Sequence, residues 1–160
     1  MTIQVGEKIP ATTLKVVTPE GPKDVPSAEF FGGKKVVLFA VPGAFTPTCS
    51  QRHLPGYVDR AGDIKGRGVD TIACLAVNDA FVMGAWGKDQ NCSDKVMMLA
   101  DGSGDFTKAV GLELDLTKGG LGMRSQRYSM LVEDGTVKAL NVEKAGQFDV
   151  SSAEAMLKGL

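Results

Sequence analysis

Short, strongly apolar runs alternate along this chain with longer stretches of mixed character. Residues 35–41, 69–77 and 96–100 are apolar apart from Lys35, Asp70 and Thr71 near their starts, the pattern of strands covered on both faces. Between the first two, residues 48–65 have helical spacing. Pro55 interrupts it, because a proline cannot donate to the carbonyl of Gln51, so a kink or break is expected over residues 53–56. Gly66 and Gly68 close that segment. Asn78-Asp79 supplies an N-cap for a helix through Phe81, Val82 and Trp86, and Gly104-Asp105 opens a shorter one that Gly111 ends. Toward the N-terminus, residues 14–17 and the turn Thr18-Pro19-Glu20-Gly21 predict the start of a hairpin. A helical turn over residues 27–31 follows, stopped by Gly32-Gly33. Residues 112–122, with glycines at 119, 120 and 122, read as irregular. Residues 128–132 and 137–142 flank Asp134-Gly135, a strong hairpin signal, and Ser151-Ser152-Ala153-Glu154 reads as a capping box before a last helix over residues 153–160.

Strand, helix, strand, helix, strand, helix and a closing hairpin predict an α/β architecture with a mixed sheet flanked by helices. A length of 160 residues fits one domain, residues 1–160, with no repeat or linker. Lysine and arginine total 18 against 19 aspartates and glutamates, a balance that argues against a general grip on nucleic acid or on an anionic membrane. Residues 1–8 lack the apolar core of a secretory signal, and no apolar run approaches a membrane span, so a soluble, cytoplasmic protein is expected. The three cysteines include no Cys-x-x-Cys pair, and the single histidine is His53. Neither a zinc site nor a disulfide-stapled fold is expected, and no metal or cofactor is called for.

The chemistry concentrates in Pro42-Gly43-Ala44-Phe45-Thr46-Pro47-Thr48-Cys49, where an apolar strand hands over to a helix. Unpaired N–H groups and the positive end of the helix dipole favour a thiolate there, which makes Cys49 a candidate nucleophile. Thr46 sets a hydroxyl three residues earlier, either to orient the sulfur or to cap the helix. His53, four residues on, falls on the same helical face and is expected at the edge of a pocket, since a preformed thiolate needs no base. Phe45, Phe81, Leu121 and Trp86 are candidates for apolar walls, a subunit contact or ordinary core. Cys74 lies in a buried strand, where a thiol is usually an inert hydrophobe, and Cys92 reads as a loop thiol of no assigned role.

The Pro42, Thr46, Cys49 spacing resembles the peroxiredoxin motif, and the fuller string from Val41 through Pro55-Gly56 is similar to the type-five group, called type II in plants. The resemblance implies a thioredoxin-like fold and a thiol peroxidase acting on hydrogen peroxide and small organic hydroperoxides through a sulfenic acid at Cys49. It implies that Pro42 shields the thiolate and that a distant arginine assists. That arginine maps onto Arg127, which abuts an apolar strand, with Arg124 as a competitor by charge alone. A plant-type pattern makes Cys74 the candidate resolving thiol. The animal type-five proteins resolve through a cysteine near the C-terminus, but Gln147-Phe148-Asp149-Val150-Ser151-Ser152 has none, which favours an external thiol. Glutathione with glutaredoxin, or thioredoxin, is the reductant that the resemblance implies, and a homodimer the assembly. The competing reading is a redox-sensing interaction protein of the same fold without efficient turnover. A thiol–disulfide oxidoreductase is disfavoured because Cys49-Ser50-Gln51-Arg52 lacks that motif's second cysteine.

Overall fold

The computed structural model describes residues 1–92 and 94–160. Its framework is a seven-stranded sheet in the order β2-β1-β5-β4-β3-β8-β9. These strands are β1 (Thr13–Thr18), β2 (Gly21–Pro26), β3 (Lys35–Ala40), β4 (Thr71–Ala76), β5 (Met97–Ala100), β8 (Tyr128–Glu133) and β9 (Thr136–Val142). The central three run parallel, β3 beside β4 and β4 beside β5, whereas β1 joins β5 and β8 joins β3 antiparallel. Alternate residues of each central strand enter different cores. Val37, Phe39, Ile72, Cys74 and Ala76 face one cluster, and Val36, Leu38, Ala40, Ala73 and Leu75 face the other. Cover on both sides explains why these strands are apolar after their first residues rather than alternating. The β8–β9 hairpin turns at Asp134 and Gly135, whose φ values of 46° and 77° match the two positive-φ positions of a tight hairpin turn.

The first cluster is covered by α2 (Leu54–Asp59), α3 (Ala61–Lys65), α4 (Ala80–Asp89) and α6 (Ala153–Lys158); the second is covered by α1 (Ser27–Phe31) and α5 (Asp105–Val110). Asp79 caps α4 by accepting from the Val82 N–H at 2.9 Å.

Two expectations are corrected, and a third is given its form. The helical segment does change at residues 53–54, where a single π turn, Cys49–His53, with Leu54 N–H bonded to Cys49 C=O, gives way to α2 just before Pro55. That wider turn draws the backbone away from the collision a proline ring has with the carbonyl four residues back. A second interruption falls at Arg60, between α2 and α3. Residues 112–122 are not irregular throughout, since β6 (Glu113–Leu116) pairs antiparallel with β7 (Gly122–Ser125) around a 3₁₀ turn, Thr117–Gly119. The last helix is capped by Ser152, whose hydroxyl accepts from Ala155 N–H at 3.1 Å. Ser151 is thereby free for another role.

Helix α4 lies so close to β1 that a Cβ at Gly84 would overlap Val17 Cγ1 and lie 3.2 Å from Val17 Cβ. This seating fixes Trp86, whose Nε1 donates to Ser50 Oγ at 3.0 Å in the turn that carries Cys49. Overpacking of about 1–3 kcal/mol outweighs the helix-propensity gain of about 1 kcal/mol for Gly→Ala. Gly84→Ala is therefore expected to lower the urea-unfolding free energy by about 1 kcal/mol. Gly62→Ala, with open space around it, should leave that energy unchanged or raise it. An equal loss at both positions would contradict this packing account.

Candidate active site

The loop after β3 turns sharply. Thr46 Oγ1 donates to the Gly43 carbonyl at 2.7 Å, and Ala44 N–H donates to Asn78 Oδ1 at 2.9 Å. Between them Phe45 has φ of 63°, a left-handed conformation that is strained for a bulky residue, with its ring half exposed beside Trp86 at a centroid distance of 6.4 Å. The helix begins at Pro47, and its first internal bond runs from Ser50 N–H to Thr46 C=O at 2.9 Å. Proline suits that first position, and the N–H groups of Thr48 and Cys49 have no acceptor within the helix.

Cys49 is fully buried, and Arg127, just ahead of β8, reaches it. Nη2 of the guanidinium donates to Cys49 Sγ at 3.1 Å, while Nη1 lies 2.8 Å from His53 Nδ1. Among the described residues no carboxylate forms an ion pair with Arg127. Arg124 is directed elsewhere, donating through Nε to Leu121 O at 2.8 Å and through Nη1 to Pro42 O at 3.4 Å. Thr46 has no hydrogen bond to the sulfur among the described residues, and its hydroxyl is turned to its own loop.

His53 is not at a pocket edge. It is fully buried, in van der Waals range of Phe39, Tyr57 and Phe148 with ring centroids 4.9, 5.6 and 4.9 Å away. Its Nε2 lies 3.0 Å from the Ser151 carbonyl, which also accepts from Tyr57 OH at 2.8 Å. A carbonyl only accepts, so Nε2 carries the proton and Nδ1 offers a lone pair to Arg127. Burial first, and the neighbouring Arg127 charge second, push the imidazole down from 6.5 to about 3.

The Ser151 carbonyl belongs to a strap, residues 143–152, that sequence reasoning did not connect to the site. Glu143 starts it with a backbone bond to Arg127 O at 2.9 Å. Its carboxylate accepts from Asp149 N–H at 2.6 Å, Ser151 N–H at 2.8 Å and Ser151 Oγ–H at 2.7 Å. Burial pushes the Glu143 carboxyl up, but these hydrogen bonds prevail and hold it below its usual value. Phe148 on the same strap lies under two guanidiniums, Arg52 at 4.8 Å and Arg127 at 5.9 Å from its centroid. The only signal for the strap in the sequence was polar: an acid and a serine flanking an aromatic just before a helix.

A cavity of about 150 Å³ opens beside Arg127, lined by Pro42, Thr48, Leu114, Gln126, Lys144 and Gln147 among others. Phe45, Phe81 and Leu121 do not line it and stand exposed on the surface. Cys74 and Cys92 are buried in the same core cluster as Cys49. Burial first, then the neighbouring sulfurs, pushes the Cys74 thiol well up, and burial pushes Cys92 up to about 11. Among the described residues no group of three His, Cys, Asp or Glu side chains is placed to hold a metal, and no helix is long and apolar enough to cross a membrane.

A Redoxin family model matches residues 4–157. The chain belongs to the peroxiredoxins. It is 54% identical to peroxiredoxin-2E, chloroplastic, of Arabidopsis thaliana over 99% of this chain and 69% of that protein. It is 48% identical to Arabidopsis peroxiredoxin-2B over 99% of this chain and 98% of that one. Reduced Prx3 of Vibrio vulnificus, solved in complex with hydrogen peroxide, superposes with a TM-score of 0.96 at 54% identity, covering 99% of each chain. The fold is the thioredoxin-like fold of peroxiredoxins, and the activity is that of a thiol-dependent peroxidase.

Since folded His53 stays neutral from its ordinary 6.5 down to about 3, the unfolded chain binds a proton in that window that the folded chain refuses. Stability from this residue is complete above the window and falls as pH falls through it, by up to about 1.4 kcal/mol per unit. Glu143 acts in the same direction, but only as pH drops below its usual 4.5. Between about pH 7 and pH 5 the wild type should therefore lose up to about 2 kcal/mol more urea-unfolding free energy than His53→Asn. Parallel pH dependences in the two proteins would show that His53 is protonated in the folded state.

Proposed function

We propose that Cys49 is the peroxidatic nucleophile of this peroxidase and that Arg127 is its electrostatic partner. The observation that carries the proposal is the 3.1 Å approach of Arg127 Nη2 to a buried sulfur, with the guanidinium unneutralised by any carboxylate among the described residues. The thiolate attacks one peroxide oxygen and the O–O bond breaks. The departing oxygen leaves as water or alcohol once protonated, and the sulfur is left as a sulfenic acid. A guanidinium stays charged at any working pH and stabilises both the thiolate and the negative charge that builds on the departing oxygen. The N–H groups of Thr48 and Cys49 are further donors. Pro42 has no N–H to compete for the substrate and forms part of the cavity wall. The Thr46 hydroxyl spends its proton on Gly43, so its role is to accept from a protonated peroxide oxygen while holding the loop. Hydrogen peroxide as substrate draws support from the Vibrio vulnificus relative solved with it.

Resolution runs through an external thiol, for which glutathione with glutaredoxin, or thioredoxin, is the proposed source. One thiol condenses with the sulfenic acid, releasing water and forming a mixed disulfide, and a second thiol then frees Cys49. Cys74 and Cys92 are poor competitors, because burial keeps both protonated and the thiolate is the reactive form. Three free thiols suit a reducing compartment such as the cytoplasm. The exposed Phe45, Phe81 and Leu121 support a homodimer that covers apolar surface near the loop.

Cys49→Ser should abolish peroxide turnover with every reductant while far-UV and near-UV spectra stay native; surviving turnover would remove Cys49 from the mechanism. Arg127→Lys keeps the charge but loses the fork, and should slow oxidation by peroxide about tenfold or more. Arg124→Lys should cost much less, and equal losses would leave Arg127 without its special place.

Mass spectrometry after one equivalent of peroxide and then glutathione should find a glutathione adduct on Cys49, with turnover retained in Cys74→Ser. A near-complete Cys49–Cys74 bridge, with turnover lost in that variant, would make Cys74 the resolving thiol.

A further inference from the structure

We propose that the turn Lys144–Gln147 binds the carboxylate of a small thiol, so that the thiol resolving oxidised Cys49 is selected for carrying one. The inference rests on the external-thiol route proposed above. Its basis is the makeup of the cavity of about 150 Å³. Arg127, whose Nη2 donates to Cys49 Sγ, and Thr48, the residue before that cysteine, both line it. So do Lys144 and Gln147, from the strap that closes over the site. Among the described residues no carboxylate forms an ion pair with Lys144.

The turn is an ordered one. Gln147 N–H closes it on the Lys144 carbonyl at 2.9 Å, with Gly146 at a φ of 76°, the positive value that suits glycine at the third position of such a turn. Glu143 ties the segment on either side. Its N–H donates to the Arg127 carbonyl at 2.9 Å, and its carboxylate accepts from Asp149 N–H at 2.6 Å. Gln126 adds an amide to the same lining, steadied by donation from Nε2 to the Glu113 carbonyl at 3.1 Å.

Charge decides the class of ligand. Two cations, Arg127 and Lys144, share the cavity with one anion, Glu143, whose carboxylate is already met by Asp149 N–H, Ser151 N–H and Ser151 Oγ–H. Arg127 is committed to Cys49 and His53, which leaves Lys144 as the cation open to a second molecule. Lysine offers a carboxylate a mobile charge with three donors. Hydrogen peroxide is neutral and has nothing beyond its reacting oxygens for an ammonium to hold. A thiol that also carries a carboxylate does, and the volume admits one arm of such a molecule but not a folded protein. In the step itself the thiol sulfur attacks the sulfenic sulfur of Cys49. The S–S bond forms as the S–O bond breaks, and the oxygen departs with the thiol proton as water. The thiol is oxidised and the sulfenic sulfur reduced, giving one mixed disulfide.

The test starts from oxidised protein, so that the rate of peroxide attack does not enter. After one equivalent of hydrogen peroxide, the protein is mixed with glutathione, mercaptopropionate or the methyl ester of mercaptopropionate. Acid quenching and mass spectrometry then time the mixed disulfide on Cys49. Each thiol is compared with itself across the variants, so that differences in thiol acidity cancel. Lys144→Met keeps the length of the side chain and removes its charge. It should slow glutathione and mercaptopropionate by about fivefold, the scale of an exposed ion pair, and the ester by less than about twofold. Lys144→Arg should stay near wild type with all three. Equal losses for acid and ester, or no loss for the acid, would overturn the inference. So would a loss confined to oxidation of Cys49 by a fatty-acid hydroperoxide, which would give the subsite to the substrate. A Cys49–Cys74 bridge in place of the sulfenic acid would instead remove the external-thiol route on which the inference rests.

Discussion

One planar cation must meet two acceptors that lie four residues apart on a single helical turn, and much of the local structure follows from that requirement. Arg127 can touch Cys49 and His53 together only if both side chains leave the same face of the turn toward the sheet. The π turn at Cys49–His53 provides that face and at the same time accommodates Pro55. The guanidinium is rigid, so a change of a few tenths of an ångström on one side is passed to the other. Flexible lysine would not couple the two contacts in this way.

The partners of the fork come from distant parts of the chain, which makes the sheet part of the chemistry. Strand β3 delivers the loop and the helix with Cys49, β8 begins one residue after Arg127, and β3 pairs directly with β8. Beyond β9 the chain turns back as the strap and brings Phe148 and the Ser151 carbonyl over His53. The site is thus closed by residues about a hundred positions after Cys49, tied by one carboxylate with three donors. A carboxylate so saturated is strongly ordering, since the two Ser151 donors would otherwise be left unpaired in a buried place.

The parts of this arrangement legible in the sequence were those with a local physical cause. Strands β3, β4 and β5 could be read because burial on both faces leaves polar residues only at the first positions of β3 and β4, Lys35 and Thr71, and the β8–β9 turn because Asp134-Gly135 suits two positive φ values. Cys49 was found at a strand-to-helix junction. The β6–β7 pair was missed because its four-residue strands are held mainly by backbone pairing and flanked by glycines that look like loop. Pro55 marks the place where the helical segment changes, but the π turn before it has no sequence signature of its own. His53 was placed at an edge since its burial depends on three aromatic rings, one of them in the strap. The strap has no periodicity, and its serine was claimed by the wrong cap: Ser152 caps α6, and Ser151 serves the site.

Phe45 sets function against hardiness. A bulky residue at φ of 63° carries strain of about 1–3 kcal/mol, and its half-exposed ring recovers little of this within one chain. Anyone selecting this protein for heat resistance alone would soon arrive at glycine or asparagine there. Those variants would relax the loop that carries Pro42 and Thr46 between β3 and Cys49. Thermal selection and peroxide selection should therefore pull this one position in opposite directions, and populations passed through each would diverge there early.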